Sequence, residues 1–167
     1  MKLTRLSVLL LFALALAVPA QGQVMLPDKG GERVVRENIF GLGLGGGPAT
    51  GVGLSFRHHL PGSWSYEFTG GIIKVDAKTS YAVGGEIQYD LVRTPMTRFF
   101  VAGGMGYYYG GRGRGNTLDG PIRVGVGVGG EVPMSSGFHV SGELLFTYFS
   151  DATVLPLPQI GVYYYFY

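Results

Sequence analysis

Cysteine is absent from the chain. That excludes disulfides, thiolate metal sites, a cysteine nucleophile and a lipid-carrying cysteine. Charge is scarce. Only 14% of residues are charged, against roughly 25% in an ordinary soluble domain. The formal net charge of +2 is too small to attract nucleic acid. Long apolar runs are missing too. Beyond residue 20 no segment approaches the roughly 20 apolar residues of a spanning helix. Any membrane crossing after that point must use strands. In place of these features the chain holds 30 glycines, 11 tyrosines and a single tryptophan in 167 residues.

Residues 1–20 have the form of a secretory signal. Lys2 and Arg5 supply the positive start, Leu6 to Val18 the apolar stretch, and Val18-Pro19-Ala20 the small residues before a cut. Residues 21–37 are polar, with charges of both signs, and read as a lead-in segment.

From residue 38 the pattern changes to alternation. Eight strands are expected, at 38–46, 50–60, 64–75, 80–92, 97–109, 121–132, 137–149 and 158–167, each near the length of a tilted membrane strand. Turn formers separate them, among them Gly47-Pro48, Pro61-Gly62-Ser63, Asp76 to Thr79, Thr94-Pro95 and Asp151 to Pro156. The two parities differ sharply. One carries Phe40, Leu42, Leu44, Val52, Leu54, Phe56, Trp64, Tyr66, Phe68 and their successors up to Phe166, without charge. The other carries Arg57, Glu67, Glu86, Asp90, Arg123, Glu131 and Glu143. Lys74 and Arg98 are read as exceptions at strand ends. A soluble β-sandwich also alternates, but its second face meets water and is rich in charge. Here the second parity is filled with glycine, as a crowded concave interior allows. The fold class expected is all-β, an eight-stranded antiparallel transmembrane up-and-down β-barrel over residues 38–167.

The C-terminal stretch Gln159-Ile-Gly-Val-Tyr-Tyr-Tyr-Phe-Tyr167 has no charge. Its Gln159, Gly161, Tyr164 and Phe166 resemble the closing-strand signal of bacterial outer-membrane barrels, with Tyr167 one residue beyond the pattern. The chain as a whole resembles the small OmpA/OmpX-like eight-stranded barrels. That resemblance implies insertion by the barrel-assembly machinery into the outer membrane of a Gram-negative bacterium. It also implies contact with outer-membrane lipids including lipopolysaccharide, and a monomer. Residues 21–37 would then be periplasmic, 60–63, 93–96 and 133–137 short periplasmic turns, and 46–49, 76–79, 110–120 and 150–157 outer loops. Two aromatic girdles are expected at the headgroups. Trp64, Tyr66, Tyr89, Phe99, Phe138 and Phe166 belong to one and Tyr81, Tyr107, Tyr109 and Tyr148 to the other.

Four patterns invite a chemical reading. The inward charges Arg57, Glu67, Glu86, Asp90, Arg123, Glu131 and Glu143 fit a salt-bridge network inside a narrow barrel, or else a gated ion path. Tyr163 and Tyr165 would lie beside Gly41, Gly43 and Gly45 once the last strand meets the first, rings covering bare backbone. His139-x-Ser141-x-Glu143 resembles the His-x-Ser of lipid A deacylase barrels, but Gly142 follows the serine and the string sits near the wrong membrane face. His58 and His59 point to opposite faces of a strand and do not converge on a metal. Arg112 and Arg114 offer an outer loop two cations for lipopolysaccharide phosphates. Hence no cofactor, no metal and no enzyme is expected. The function expected is structural, with a narrow channel or carrier for small or apolar solutes as the alternative.

Overall fold

The computed structural model describes residues 38–166 apart from 77, 95, 112–114, 119 and 136. The signal and lead-in read into residues 1–37, and the cations Arg112 and Arg114, lie outside the described residues. Eight strands follow in order: β1 (Ile39–Gly47), β2 (Gly51–His59), β3 (Trp64–Val75), β4 (Lys78–Arg93), β5 (Arg98–Gly111), β6 (Ile122–Ser135), β7 (Phe138–Phe149) and β8 (Val154–Phe166). Each pairs antiparallel with the next, and β1 pairs with β8 from Phe40↔Phe166 to Gly46↔Ile160, closing the barrel. Closure leaves the paired region without a free edge.

Exact alternation sorts the side chains, because neighbouring residues of a strand point to opposite faces. The outer face is apolar and open to the surroundings: Leu44, Leu54, Phe68, Ile87, Phe99, Val128, Phe146 and Ile160 all lie there exposed. The inner face holds buried polar and charged groups, among them Arg57, Glu67, Gln88, Glu131 and Thr147. Arg98, expected as an exception at a strand end, is instead an ordinary inward residue, 3% exposed. Lys74 is a true exception, exposed near the end of β3.

The strands are strongly staggered. From Leu44 the register runs through Leu54, Gly70 and Val83 to Tyr107 on β5. From the adjacent Gly45 it runs the other way, through Gly161, Ser141 and Glu131, to Arg98 on the same strand. That stagger goes with the steep strand tilt of a small barrel. It also fixes heights. The end bearing both barrel termini is called lower here, and the end bearing the β1–β2 turn is called upper. The top of β1 lies level with the middle of β5, near Gly104.

Two expectations about loops need correction. The loop expected at 150–157 is a turn of residues 150–153 only, because β8 begins at Val154 and pairs Val154–Pro158 with Leu144–Tyr148. The prolines misled: Pro156 and Pro158 stand within the strand. Tyr165 donates its N–H to Gly137 on the β7 side, so even-numbered N–H groups point to the other side. The missing donors of Pro156 and Pro158 are therefore ones that β7 does not need. Residues 46–49 do not form an outer loop. The turn after β1 folds into the barrel.

Candidate functional site: a filled lumen

The interior has three storeys. Arg57 of β2 occupies the middle one, fully buried. Its Nε and Nη2 donate to Glu67 Oε2 at 2.8 and 2.5 Å. Its Nη1 donates to Glu131 Oε2 at 2.7 Å, and Nη2 reaches Glu143 Oε1 at 3.4 Å. The guanidinium plane lies 4.1 Å from the centre of the Tyr163 ring. One cation thus answers carboxylates from three strands, with its flat face on an aromatic, the arrangement an arginine is built for. Glu67 Oε1 accepts from Ser55, Tyr163 and Thr69 as well.

The lower storey is ordered by Arg98. It donates to Asp90, Gln88 and Ser65 and lies 3.3 Å from Glu131. Arg93 joins Asp90 as a second cation. A relay with one consistent direction crosses the floor. Arg98 donates to Ser65, Ser65 to His59 Nδ1, His59 Nε2 to Tyr165, and Tyr165 to Glu131. Both imidazole nitrogens have a role only if Nε2 carries the hydrogen. His139 Nδ1 sits 3.1 Å from the other Glu131 oxygen.

The upper storey is the turn itself. Ala49 is fully buried and packs with Phe100, Ala102 and Leu145 across the lumen. Gln159 Oε1 accepts from the Ala49 and Thr50 N–H groups and from the Thr50 hydroxyl, at 3.3, 3.2 and 3.0 Å. Gln159 Nε2 donates downward to Glu86 and Glu143. The Tyr108 hydroxyl accepts from Gly51 N and donates to Gly47 O. Arg123 reaches Pro48 O at 3.2 Å and is stacked between Tyr108 and Phe149. Room for the turn comes from missing side chains. A Cβ on Gly125 would stand 2.7 Å from that of Ala49, and one on Gly106 would stand 2.6 Å from the Ala49 carbonyl. Gly51 and Gly53, at φ of 113° and 140°, give β2 the bend that brings the turn inward.

Of the residues expected in the polar network, Arg57, Glu67, Asp90, Glu131 and Glu143 meet within one continuous set of contacts. Gln159 ties in Glu86, and Arg123 stands apart above the turn. His139, Ser141 and Glu143 all face inward. Yet the serine lies against Arg57 Nη2 at 3.5 Å and the imidazole turns to Glu131. His59 faces the lumen, while His58 faces outward, stacked on Phe40 at 4.1 Å. Glu67, Glu86 and Glu143 bring ligand oxygens within 4.8 Å of one another, but Arg57, Gln88 and Gln159 already bind them. Tyr165 covers Gly41, whose Cβ would fall 2.6 Å from the ring, whereas Gly45 lies against Ser55, Thr69 and Glu67. On the outer face Trp64 packs on Tyr89, Phe138 on Tyr164, and Tyr164 on Phe166. Tyr81 stacks on Tyr109 and Tyr107 toward the upper end. Phe99 and Tyr148 are also outward and exposed. Sequence reasoning missed Ala49, Thr50 and Tyr108, and missed the inward duty of Gln159.

No known family matches the chain, and no curated protein is similar to it. Solved structures are similar in shape. The N-terminal β-barrel domain of Pseudomonas aeruginosa OprF aligns over 78% of this chain and 98% of its own, with a TM-score of 0.56 at 15% identity. The chain has the fold of a small outer-membrane β-barrel. Yersinia pestis outer membrane protein Ail (TM-score 0.44, 11% identity) and Acinetobacter baumannii CarO2 (0.38, 12%) each align over 78% of this chain and 99% of their own. The lumen is filled, as the narrow interior of an eight-stranded barrel allows. At every height it is occupied by the protein's own groups: Tyr165 and Glu131 below, Arg57 and Tyr163 midway, Ala49 and Leu145 above, each at most 2% exposed.

Proposed function

We propose that the protein is an integral, non-conducting β-barrel of the outer membrane of a Gram-negative bacterium, with a structural role in the envelope and no enzymatic activity. The observation that carries this is the pairing of an apolar outer face with a lumen packed by ion pairs. Exposed apolar surface running right round a closed barrel, far beyond the few hundred Å² usual on a soluble monomer, calls for lipid. A lumen closed at three heights leaves no path for solutes. The reading includes a monomer in contact with outer-membrane lipids, lipopolysaccharide among them. Gln159, Gly161, Tyr164 and Phe166 serve the barrel-assembly machinery before Gln159 takes up the turn. Burial of His139 and Ser141 in the ion network supports a non-enzymatic role over a hydrolase. The test is single-channel recording on bilayers in which insertion has been verified by heat-dependent gel mobility. The expected trace is silent, and sustained steps would overturn the proposal.

A further inference from the structure

The wall of the barrel is incomplete in its upper half. β2 pairs with β3 only as far as Gly70, and β1 pairs with β8 only as far as Ile160. Gly71–Val75 and Val154–Gln159 therefore rise past the short β1–β2 hairpin and border a lateral window. The register sets Ile72 opposite Tyr81 and Val154 opposite Tyr148, so the window opens at the height of the upper tyrosines. Open sheet edges are not tolerated in bare hydrocarbon. Part of the cost is removed by Pro156 and Pro158, whose missing N–H groups would have pointed into the window.

Behind the window is a cup with the inward-folded turn as its floor. Its walls take the inward parity of the two protruding segments, and those residues are apolar: Ile73 and Val75 on β3, 62% and 63% exposed, and Leu155, 44% exposed, with Leu157 on β8. Such exposure of inward-pointing apolar groups is opposite to the packed storeys below. Phe149 adds an aromatic wall. Among the described residues the half-buried cation of the cup is Arg123, while Lys78, beside Val75 on the inward parity of β4, is exposed. Arg123 has no carboxylate partner among the described residues; its polar contacts are the carbonyls of Pro48 and Gly120. A guanidinium has five N–H donors in a planar fork suited to a carboxylate, so most of its donors remain for a ligand.

We propose that this cup binds a single-chain anionic amphiphile, a long-chain carboxylate that enters sideways from the outer leaflet. Its headgroup lies on Arg123 and its chain on Ile73, Val75, Leu155 and Leu157. The charge selects the head, the apolar edges receive the tail, and the window gives a path that avoids the blocked lumen. This goes beyond the structural role proposed above and asks for no pore.

The test is native mass spectrometry of the folded barrel in a short non-ionic detergent, titrated with palmitate or with methyl palmitate. The expected result is one palmitate per barrel, with the ester bound about tenfold or more weaker, the loss of a charge-assisted pair. Arg123→Gln should weaken palmitate by a similar factor and Arg123→Lys should retain most of it. Paired Ile73→Asn and Leu155→Asn should weaken acid and ester alike. No adduct, equal binding of acid and ester, or a dimer that seals the window with a second copy would each overturn the proposal. The comparison of acid with ester uses the wild-type barrel, so a variant that fails to fold does not blur the answer. A heat-shifting, silent barrel that ignores palmitate would remove this inference and leave the structural role standing.

Discussion

Replacing Arg57 with methionine should be the most damaging single change in the middle of the barrel. The side chain is fully buried and faces Glu67, Glu131 and Glu143. Methionine keeps much of the volume and can rest on Tyr163, but it answers no charge. Glu131 retains Arg98 at 3.3 Å. Glu67 loses its only cation among the described residues and keeps neutral donors alone. Breaking a buried pair by removing one partner costs about 3–5 kcal/mol, because an uncompensated charge stays behind. Equilibrium unfolding in urea reads the loss. Trp64 is the single tryptophan, packed against Tyr89 at the lower rim, and its fluorescence follows the transition. Adding Glu67→Gln to Arg57→Met should return about 1–3 kcal/mol, the coupling expected of contacting partners. A single variant within about 1 kcal/mol of wild type, against that 3–5, would show that Arg57 does not hold these carboxylates together. So would a double variant less stable than the single.

Other predictions follow from packing and from the turn. Gly41→Ala should cost about 1–3 kcal/mol by overpacking, because its Cβ would meet the buried Tyr165 ring at 2.6 and 2.8 Å. Gly46→Ala meets nothing within 4 Å and should shift the urea midpoint hardly at all. Gln159→Leu strips the acceptor from the Ala49 and Thr50 N–H groups and should cost about 1–3 kcal/mol, the penalty of unsatisfied buried donors. With Ala49→Cys in that background, thiol labelling from the upper end should speed up relative to Ala49→Cys alone. Tyr108→Phe removes the contacts to Gly47 and Gly51 and should loosen the same turn in the same assay.

Much of this was legible in the chain because a strand's period is exactly two. Once Leu42, Leu44, Leu54 and Phe56 are put on one face, Arg57 and Glu67 must share the other, and the stagger brings both near Glu131. Tyr165 over Gly41 was legible for the same reason, given closure between the first and last strands. The inward turn was not, since Pro48-Ala49-Thr50 reads like any surface turn. A signal did exist. Gly84, Gly104, Gly106 and Gly125 share the inward parity in the upper half of β4, β5 and β6, more bare backbone than neighbouring side chains there can cover. Arg98 was misplaced by treating a strand end as wet, when it has the parity of the buried Phe100. The start of β8 was missed because proline was read as a turn former, although an unpartnered strand side accepts it.

The central claim, a closed membrane barrel, meets its most direct test in the mobility of unboiled protein from separated outer-membrane and soluble periplasmic fractions. The protein is expected in the outer-membrane fraction, with a band that shifts on boiling, as compact detergent-resistant barrels do. Recovery in the soluble fraction with the same mobility before and after boiling would contradict it, and the apolar outer face would then have to be covered by something other than lipid.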